Sequence, residues 1–290
     1  MPSLRDLRKR IASVQSTRQI TKAMKMVAAA KMRRSQESIL KARPYANGLS
    51  LVLSDLASRV NTEDHPLLAR RTPRKVELIV MTSDRGLCGS FNTNIIRKAE
   101  NFLFQKGPEF DRISLSCIGR KGRDHFRRKT VDIRSEYVGV FEKVSFATAA
   151  EIADKLARDF VSQDLDAIFL LYNEFKSVIQ QQVVLNPLLP ITLPEGQQPG
   201  TALGVEYEYE PGKEAILNTI LPKYLATGIY RAMLESAASE FGARMTAMDN
   251  ATKSAGEMID SLSLKYNKAR QAAITKELME IVTGAEAIKQ

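Results

Sequence analysis

The 290-residue chain contains no tryptophan, two cysteines and two histidines, and aromatic residues make up only 7% of it. Cys88 and Cys117 share no CxxC spacing and have no histidine-rich neighbourhood. A disulfide framework and a zinc site are therefore excluded, and reduced thiols of a cytosolic compartment are expected. His65 precedes Pro66 in a turn and His125 lies among Arg123, Arg127 and Arg128, so both are expected at the surface. A nucleophilic Cys88–His pair lacks any third group to orient it. The glycine-rich dinucleotide fingerprint and the P-loop are absent as well. So are long apolar runs. The longest uncharged stretch, Ser177 to Pro194, carries Gln180, Gln181, Gln182, Asn186 and three prolines, and cannot span a membrane. Near the N-terminus, Leu4, Leu7, Ile11 and Val14 are interspersed with charged and polar residues, so no secretory signal is expected.

Positive charge is in excess, and it is concentrated. The chain has 43 Lys+Arg against 33 Asp+Glu, yet residues 1–75 alone hold 17 basic and 5 acidic residues, so the remainder is close to neutral. Arg5 to Arg43 contains 12 basic and 2 acidic residues. Such a stretch suits an acidic protein surface, nucleic acid or anionic lipid, or it is a solvated helix face. It has no aromatic residue before Tyr45, which weakens a nucleic-acid reading because such surfaces commonly stack bases on rings.

The helix breakers are unevenly spread. Neither proline nor glycine occurs between Pro2 and Pro44, and no proline follows Pro222. Two helical arms around a turn-rich middle follow from this. The first opens with Ser3 and Asp6, close to a capping box. Its stripe of Leu4, Leu7, Ile11 and Val14 passes into Ala23, Met24, Val27, Ala28 and Ala30, and resumes at Leu49, Leu53, Leu56 and Val60. Pro44 and Gly48 should kink that helix without necessarily ending it. In the last arm Leu234, Ala237, Phe241, Met245, Met248, Thr252, Ala255, Ile259, Leu262, Tyr266, Ala269 and Ala273 step by three and four. A helix from about residue 213 to 288 would be roughly 110 Å long, and its natural partner is the first arm, antiparallel. The methionines of both arms fill gaps along this seam or form an adaptable contact surface.

The middle alternates strands (Val76–Thr82, Ile113–Ile118, Asp166–Tyr172 and Val178–Leu185) with helices (Asn92–Gln105, Gly122–Arg128 and Ser145–Val161, the last with Thr148 and Glu151 as a capping box). That order predicts a mostly parallel sheet covered by helices. The fold class is therefore a long antiparallel coiled coil of terminal helices with an inserted Rossmann-like α/β domain. The boundaries are 1–60, 75–210 and 211–290. The first βα turn, Ser83 to Ser90, is where a phosphate would bind in such a domain, but its two glycines fit a structural turn better.

Four blocks carry a further signal: IASVQSTRQITKAMKMVAAAKM (Ile11–Met32), SDRGLCGSFN (Ser83–Asn92), YNKARQAAIT (Tyr266–Thr275) and ITKELMEIVTGAEA (Ile274–Ala287). In content and order they resemble the gamma subunit family of F-type ATP synthase. The resemblance implies a non-enzymatic rotor shaft with no cofactor, no metal and no nucleic-acid or small-molecule ligand. Its implied partners are the alpha and beta subunits of the catalytic ring, the epsilon subunit and the membrane c-ring. Proton-driven rotation would be coupled there to ATP synthesis or hydrolysis on the surrounding subunits.

By motif, Met24, Arg244, Arg270, Gln271, Thr275 and Glu277 would meet the ring. Lys25, Arg33 and Arg34, with Arg74 and Lys75, would answer an acidic loop of the catalytic subunits. Tyr207 and Glu210 would form a foot on the rotor ring. The lack of a regulatory cysteine pair and of a transit peptide points to a bacterial chain on the cytoplasmic face of the inner membrane. Two rivals remain at this stage, a basic coiled-coil nucleic-acid-binding protein and a nucleotide-binding enzyme built on the α/β domain.

Overall fold

The computed structural model describes residues 3–57, 65–177, 180–192 and 212–288. Val60, Val178, Tyr207 and Glu210 lie outside them. Helix α1 (Leu4–Ala57) and helix α5 (Lys213–Ile288) flank a five-stranded sheet in chain order β1 (Lys75–Met81), α2 (Phe91–Lys106), β2 (Arg112–Ile118), α3 (Arg120–Phe126), β3 (Asp132–Tyr137), α4 (Phe146–Val161), β4 (Ala167–Phe175) and β5 (Gln181–Leu189). Two compact units result, one of Ala29–Arg244 and one of Met1–Ala28 with Met245–Gln290, so each takes a part of α1 and of α5.

In the larger unit the strand order is β3-β2-β1-β4-β5, with β1, β2, β3 and β4 parallel and β5 antiparallel to β4. Alternation along β1 divides the core. Leu78 and Val80 face one side, packed with Leu115 of β2 and with Ile95, Ala99 and Phe126 of the α2–α3 layer. Ile79 and Met81 face the other, packed with α4 and with Leu217, Leu221 and Leu225 of α5. Because successive strand side chains point to opposite faces, a strand buried on both sides tends to read as a continuous apolar run, as the AIFLLY of β4 does and as β1 does apart from Glu77, whereas β2 alternates Ile113, Leu115 and Cys117 with the buried Ser114 and Ser116. Strand β3 does not. Its DIRSEY sequence is polar because it is an edge strand of half-buried residues. The expected strand at Val178–Leu185 is observed at Gln181–Leu189, running through Pro187, which an edge strand tolerates because one row of its N–H groups is unpaired.

Gly119 sits at φ +102°, and a Cβ there would lie 2.0 Å from the Thr82 carbonyl oxygen. Only glycine permits this close crossing of β1 by the entry to α3. Helix α4 is capped by Ser145, whose Oγ accepts from the Thr148 backbone N–H at 3.2 Å, so the cap lies three residues earlier than the expected Thr148. Helix α1 runs unbroken through Pro44. Leu40 and Pro44 both stand on its exposed side, where water can satisfy the carbonyl that the proline leaves without a donor.

In the smaller unit Ser3 caps α1, its Oγ accepting from the Asp6 N–H at 3.1 Å and donating to the Asp6 carboxylate at 2.7 Å. The seam is narrow. Leu7, Thr21 and Ala28 of α1 are buried, as are Met248, Ala255 and Leu262 of α5. Thr252 is half-buried, and Ile259, Tyr266, Ala269 and Ala273 are half-buried between exposed neighbours, in the expected steps of three and four.

Candidate partner-binding surfaces

Cross-links along the seam fix the register of the two arms. Arg8 donates to the Tyr266 hydroxyl at 2.7 Å, Gly256 faces the Arg18 guanidinium, Thr252 donates to Thr21 at 2.8 Å, and Lys25 pairs with Asp249 at 2.6 Å. Each step up α1 is matched by an equal step down α5, so the helices are antiparallel, and α1 begins opposite about residue 270 of α5. Beyond that point α5 has no helical partner among the described residues.

Arg270, Gln271, Thr275 and Glu277 are accordingly exposed. So is an apolar stripe of Ile274, Leu278, Ile281 and Val282, at 48 to 69%. Four such side chains on one helix end form an exposed apolar stripe of the kind that soluble proteins seldom leave contiguous.

The residues expected on α1 divide into two kinds. Met24 is half-buried in the seam and Lys25 is engaged with Asp249, whose carboxyl is held below its usual range by Lys25 and Lys253. Arg33 and Arg34 are exposed. Arg74 and Lys75 stand elsewhere, at the start of β1, where their backbone N–H groups bind Asp166 at 3.1 and 2.8 Å. This is the end of the sheet opposite the Ser83–Ser90 turn.

Arg244 is not a free surface cation. Its side chain is 12% exposed, its Nη2 donates to the Gly86 carbonyl at 3.1 Å, and the same nitrogen lies 2.6 Å from the Glu240 carboxylate. Sequence reasoning missed Glu240, because its burial depends on a turn more than 150 residues away in the chain.

The turn itself is already satisfied from within. Asp84 Oδ1 accepts from the backbone N–H groups of Arg120 at 3.0 Å and Gly139 at 3.1 Å, so a carboxylate already occupies the place an anion would take. Asn92 accepts from the Ser83 N–H at 2.9 Å and donates to Ser83 Oγ at 2.8 Å and to the Cys88 sulfur at 3.2 Å. Burial raises the Cys88 thiol and pushes that of Cys117 up to about 12, which makes both poor nucleophiles at neutral pH. His65, expected at the surface, is instead buried. Its Nδ1 accepts from the Leu67 N–H at 3.1 Å while Nε2 meets Asn218 Oδ1 at 3.0 Å, which pins the segment after residue 64 to α5. Among the described residues no cluster of His, Cys, Asp and Glu is placed to hold a metal, and no helix is long and apolar enough to cross a membrane.

These features define a class: an α/β domain inserted between two long terminal helices, which leave charged and apolar faces exposed. The family model for ATP synthase matches residues 3–288. The ATP synthase gamma chains of Anaeromyxobacter sp. (strain Fw109-5) and Geobacter sp. (strain M21) are 53% and 49% identical, each covering all of this chain and all of its own length. A chain in the cryo-EM structure of the central stalk and c-ring of the Tetrahymena thermophila mitochondrial ATP synthase is 30% identical. It superposes with a TM-score of 0.64 over 80% of this chain and 99% of its own. A chain of the Euglena gracilis mitochondrial enzyme, at 20% identity and a TM-score of 0.68 over 98% and 94%, shares the fold. The chain belongs to the ATP synthase gamma chain family. Its role is that of the non-catalytic central stalk, a rotor shaft that couples rotation to ATP synthesis and hydrolysis at sites it does not carry.

Proposed function

We propose that the exposed end of α5 and the basic outer face of α1 are the surfaces through which the ring of alpha and beta subunits responds to the angle of the shaft. Arg270, Gln271, Thr275 and Glu277 meet the ring near the end of α5, with the Ile274–Val282 stripe seated in an apolar sleeve. Met24, Lys25, Arg33 and Arg34 of α1 also meet it, the basic ones opposite acidic segments of the catalytic subunits, while Arg244, turned inward to Glu240 and Gly86, acts there by holding the first βα turn against α5. The observation that carries this reading is the register of the arms, which leaves the last turns of α5 without an α1 partner.

Rotation shifts a catalytic subunit between conformations only if each conformation binds the passing face differently, because equal contact moves no population. A shaft with exposed charge on one helix and apolar side chains on the other supplies that difference. Tyr207 and Glu210 form the foot on the membrane c-ring, and the epsilon subunit binds alongside, on the cytoplasmic face of a bacterial inner membrane. The resemblance of EYEYEP supports this placement, as does the 30% identity to a chain solved with a central stalk and c-ring.

The test replaces Arg270 and Gln271 together with alanine in the assembled synthase. ATP hydrolysis should persist while proton pumping per ATP falls, and the free chain should keep its full helical circular dichroism. Undiminished pumping, or loss of helicity in the free chain, would remove these residues from the partner surface.

A further inference from the structure

A cavity of about 250 Å³ opens between α1, the Ser83–Ser90 turn, the single helical turn at Val140–Glu142 and α5. Its floor is made by Glu240, at 5% exposure, and Arg244. One guanidinium does two jobs there, neutralising Glu240 and holding the Gly86 carbonyl of the turn. The hydrogen bonding is incomplete. Arg244 Nε and Asp84 Oδ2 are buried without a hydrogen-bond partner, and Glu240 Oε1 meets Arg244 Nη2 at 2.6 Å without the alignment of a hydrogen bond, so charge attraction contributes more to this contact than a full set of aligned bonds. A contact held in that way depends on the ionisation of its anion.

We propose that Glu240 and Arg244 form a proton-gated latch between α5 and the first βα turn, closed when Glu240 is ionised and open when Glu240 takes up a proton. Burial raises the Glu240 carboxyl, pushing it up to about 7, against the opposing pull of Arg244 on its own helix. The other charged groups facing it are Lys31 from α1, Asp84 and Arg85 from the turn, and Glu142 from the Val140–Glu142 segment. With Glu240 neutral, Arg244 loses its paired carboxylate, because the other two acids lining the cavity are engaged elsewhere, Asp84 with the Arg120 and Gly139 N–H groups and Glu142 with Arg85 at 3.6 Å. A buried cation short of a partner gains by moving into water, and the adjoining cavity gives it a path. The Gly86 carbonyl is then released and the turn is free to part from α5. The inference goes beyond the shaft reading and concerns this chain alone, so it stands or falls whether or not Arg244 meets the ring.

Cys88 reports on the latch, because it is buried in the turn while Cys117 lies in β2. The experiment treats the full-length chain with methyl methanethiosulfonate from about pH 8.5 to about pH 5.5. The rate at each cysteine is read by mass spectrometry and divided by the rate of free glutathione at the same pH. Hydrogen exchange of the turn amides, corrected for its intrinsic pH dependence, is followed in parallel.

In the wild-type chain the normalised Cys88 rate and the corrected exchange should rise together, by about tenfold, as the pH falls through neutrality and the open population grows. In Glu240→Gln and in Arg244→Ala both should be high and independent of pH. Cys117 should stay protected throughout, which certifies that the variants remain folded. A flat wild-type profile, a pH step that survives in Glu240→Gln, or a Cys88 step with no step in the amides would overturn the latch. The last outcome would mean that Glu240 only tunes the thiol.

Discussion

In the sheet of the larger unit, Leu78, Val80, Leu115 and Leu171 have 0% exposure, whereas along the arms of the smaller unit the seam residues Leu7, Met248, Ala255 and Leu262 keep 5 to 8%. The sheet is covered by a helical layer on each face, so successive side chains of its central strands find enclosed sites on both sides. A pair of helices has only one seam, and most of each helix's circumference faces outward. The sheet therefore tolerates little change in shape, while the arms tolerate much. Their outer faces are available for partners. On the reading proposed above, the domain would anchor the shaft and the arms would present the faces that partners read.

The largest effect should come from Gly119. In Gly119→Ala the added methyl meets the Thr82 carbonyl at 2.0 Å and the backbone must hold φ +102°, so unfolding free energy should fall by at least about 4 kcal/mol in urea titrations. The buried ion cluster comes next. Glu77 is 1% exposed in β1, raised above its usual pKa by burial, hydrogen-bonded by Ser116 and neutralised by Arg134, which also binds Asp159 at 3.0 Å. Arg134→Leu strands that carboxylate and should cost about 3 kcal/mol. Adding Glu77→Leu should restore part of the loss, since replacing both charges with apolar groups removes the unpaired one. The contrast is Lys25→Leu in the arm, where both partners of the ion pair are solvated and the thermal midpoint should stay close to wild type.

Glu240 sharpens the comparison through pH. Its folded-state value of about 7 lies above the ordinary 4.5 of a glutamic acid. Between those values the folded chain binds more protons than the unfolded one, so this group's contribution to stability is full at low pH and is lost as pH rises through 7. Wild type should therefore lose up to about 3 kcal/mol relative to Glu240→Gln between about pH 4.5 and pH 8, read from paired urea titrations. Equal slopes for the two chains would mean that Glu240 is solvated in the folded state.

Much of this architecture was legible in the sequence, and the physical reason differs by element. The arms were readable because a single seam imposes a strict three-four step, and the central strands because they are short runs of mostly β-branched and apolar residues, interrupted only by Glu77 in β1 and Ser114 and Ser116 in β2. Strand β3 was not, since an edge strand with Arg134 and Glu136 carries no apolar alternation. The α4 cap was misplaced by three residues because Ser145 and Thr148 are both good caps, and only the backbone decides between them. Among the site residues, the exposure of Arg270 through Glu277 follows from the register of the arms and could have been counted from the point where α1 begins. The inward turn of Arg244 could not, because its partners come from a distant turn and from a carboxylate one step off the seam.

The smallest effect has the opposite sign. Gly256 lies inside α5, and a Cβ there would come no nearer than 3.8 Å to the Arg18 guanidinium, an ordinary contact with the far end of a flexible side chain. Alanine in mid-helix is favoured over glycine by about 0.5–1 kcal/mol, because glycine loses more backbone freedom on folding. Gly256→Ala should thus raise the thermal midpoint of the free chain by a few degrees, where the same change at Gly119 strongly destabilises it. If Gly256→Ala instead destabilises the chain, the arms pack at Arg18 as tightly as the sheet does at Thr82. The contrast between an exacting sheet and a permissive seam would then fail at its most direct point.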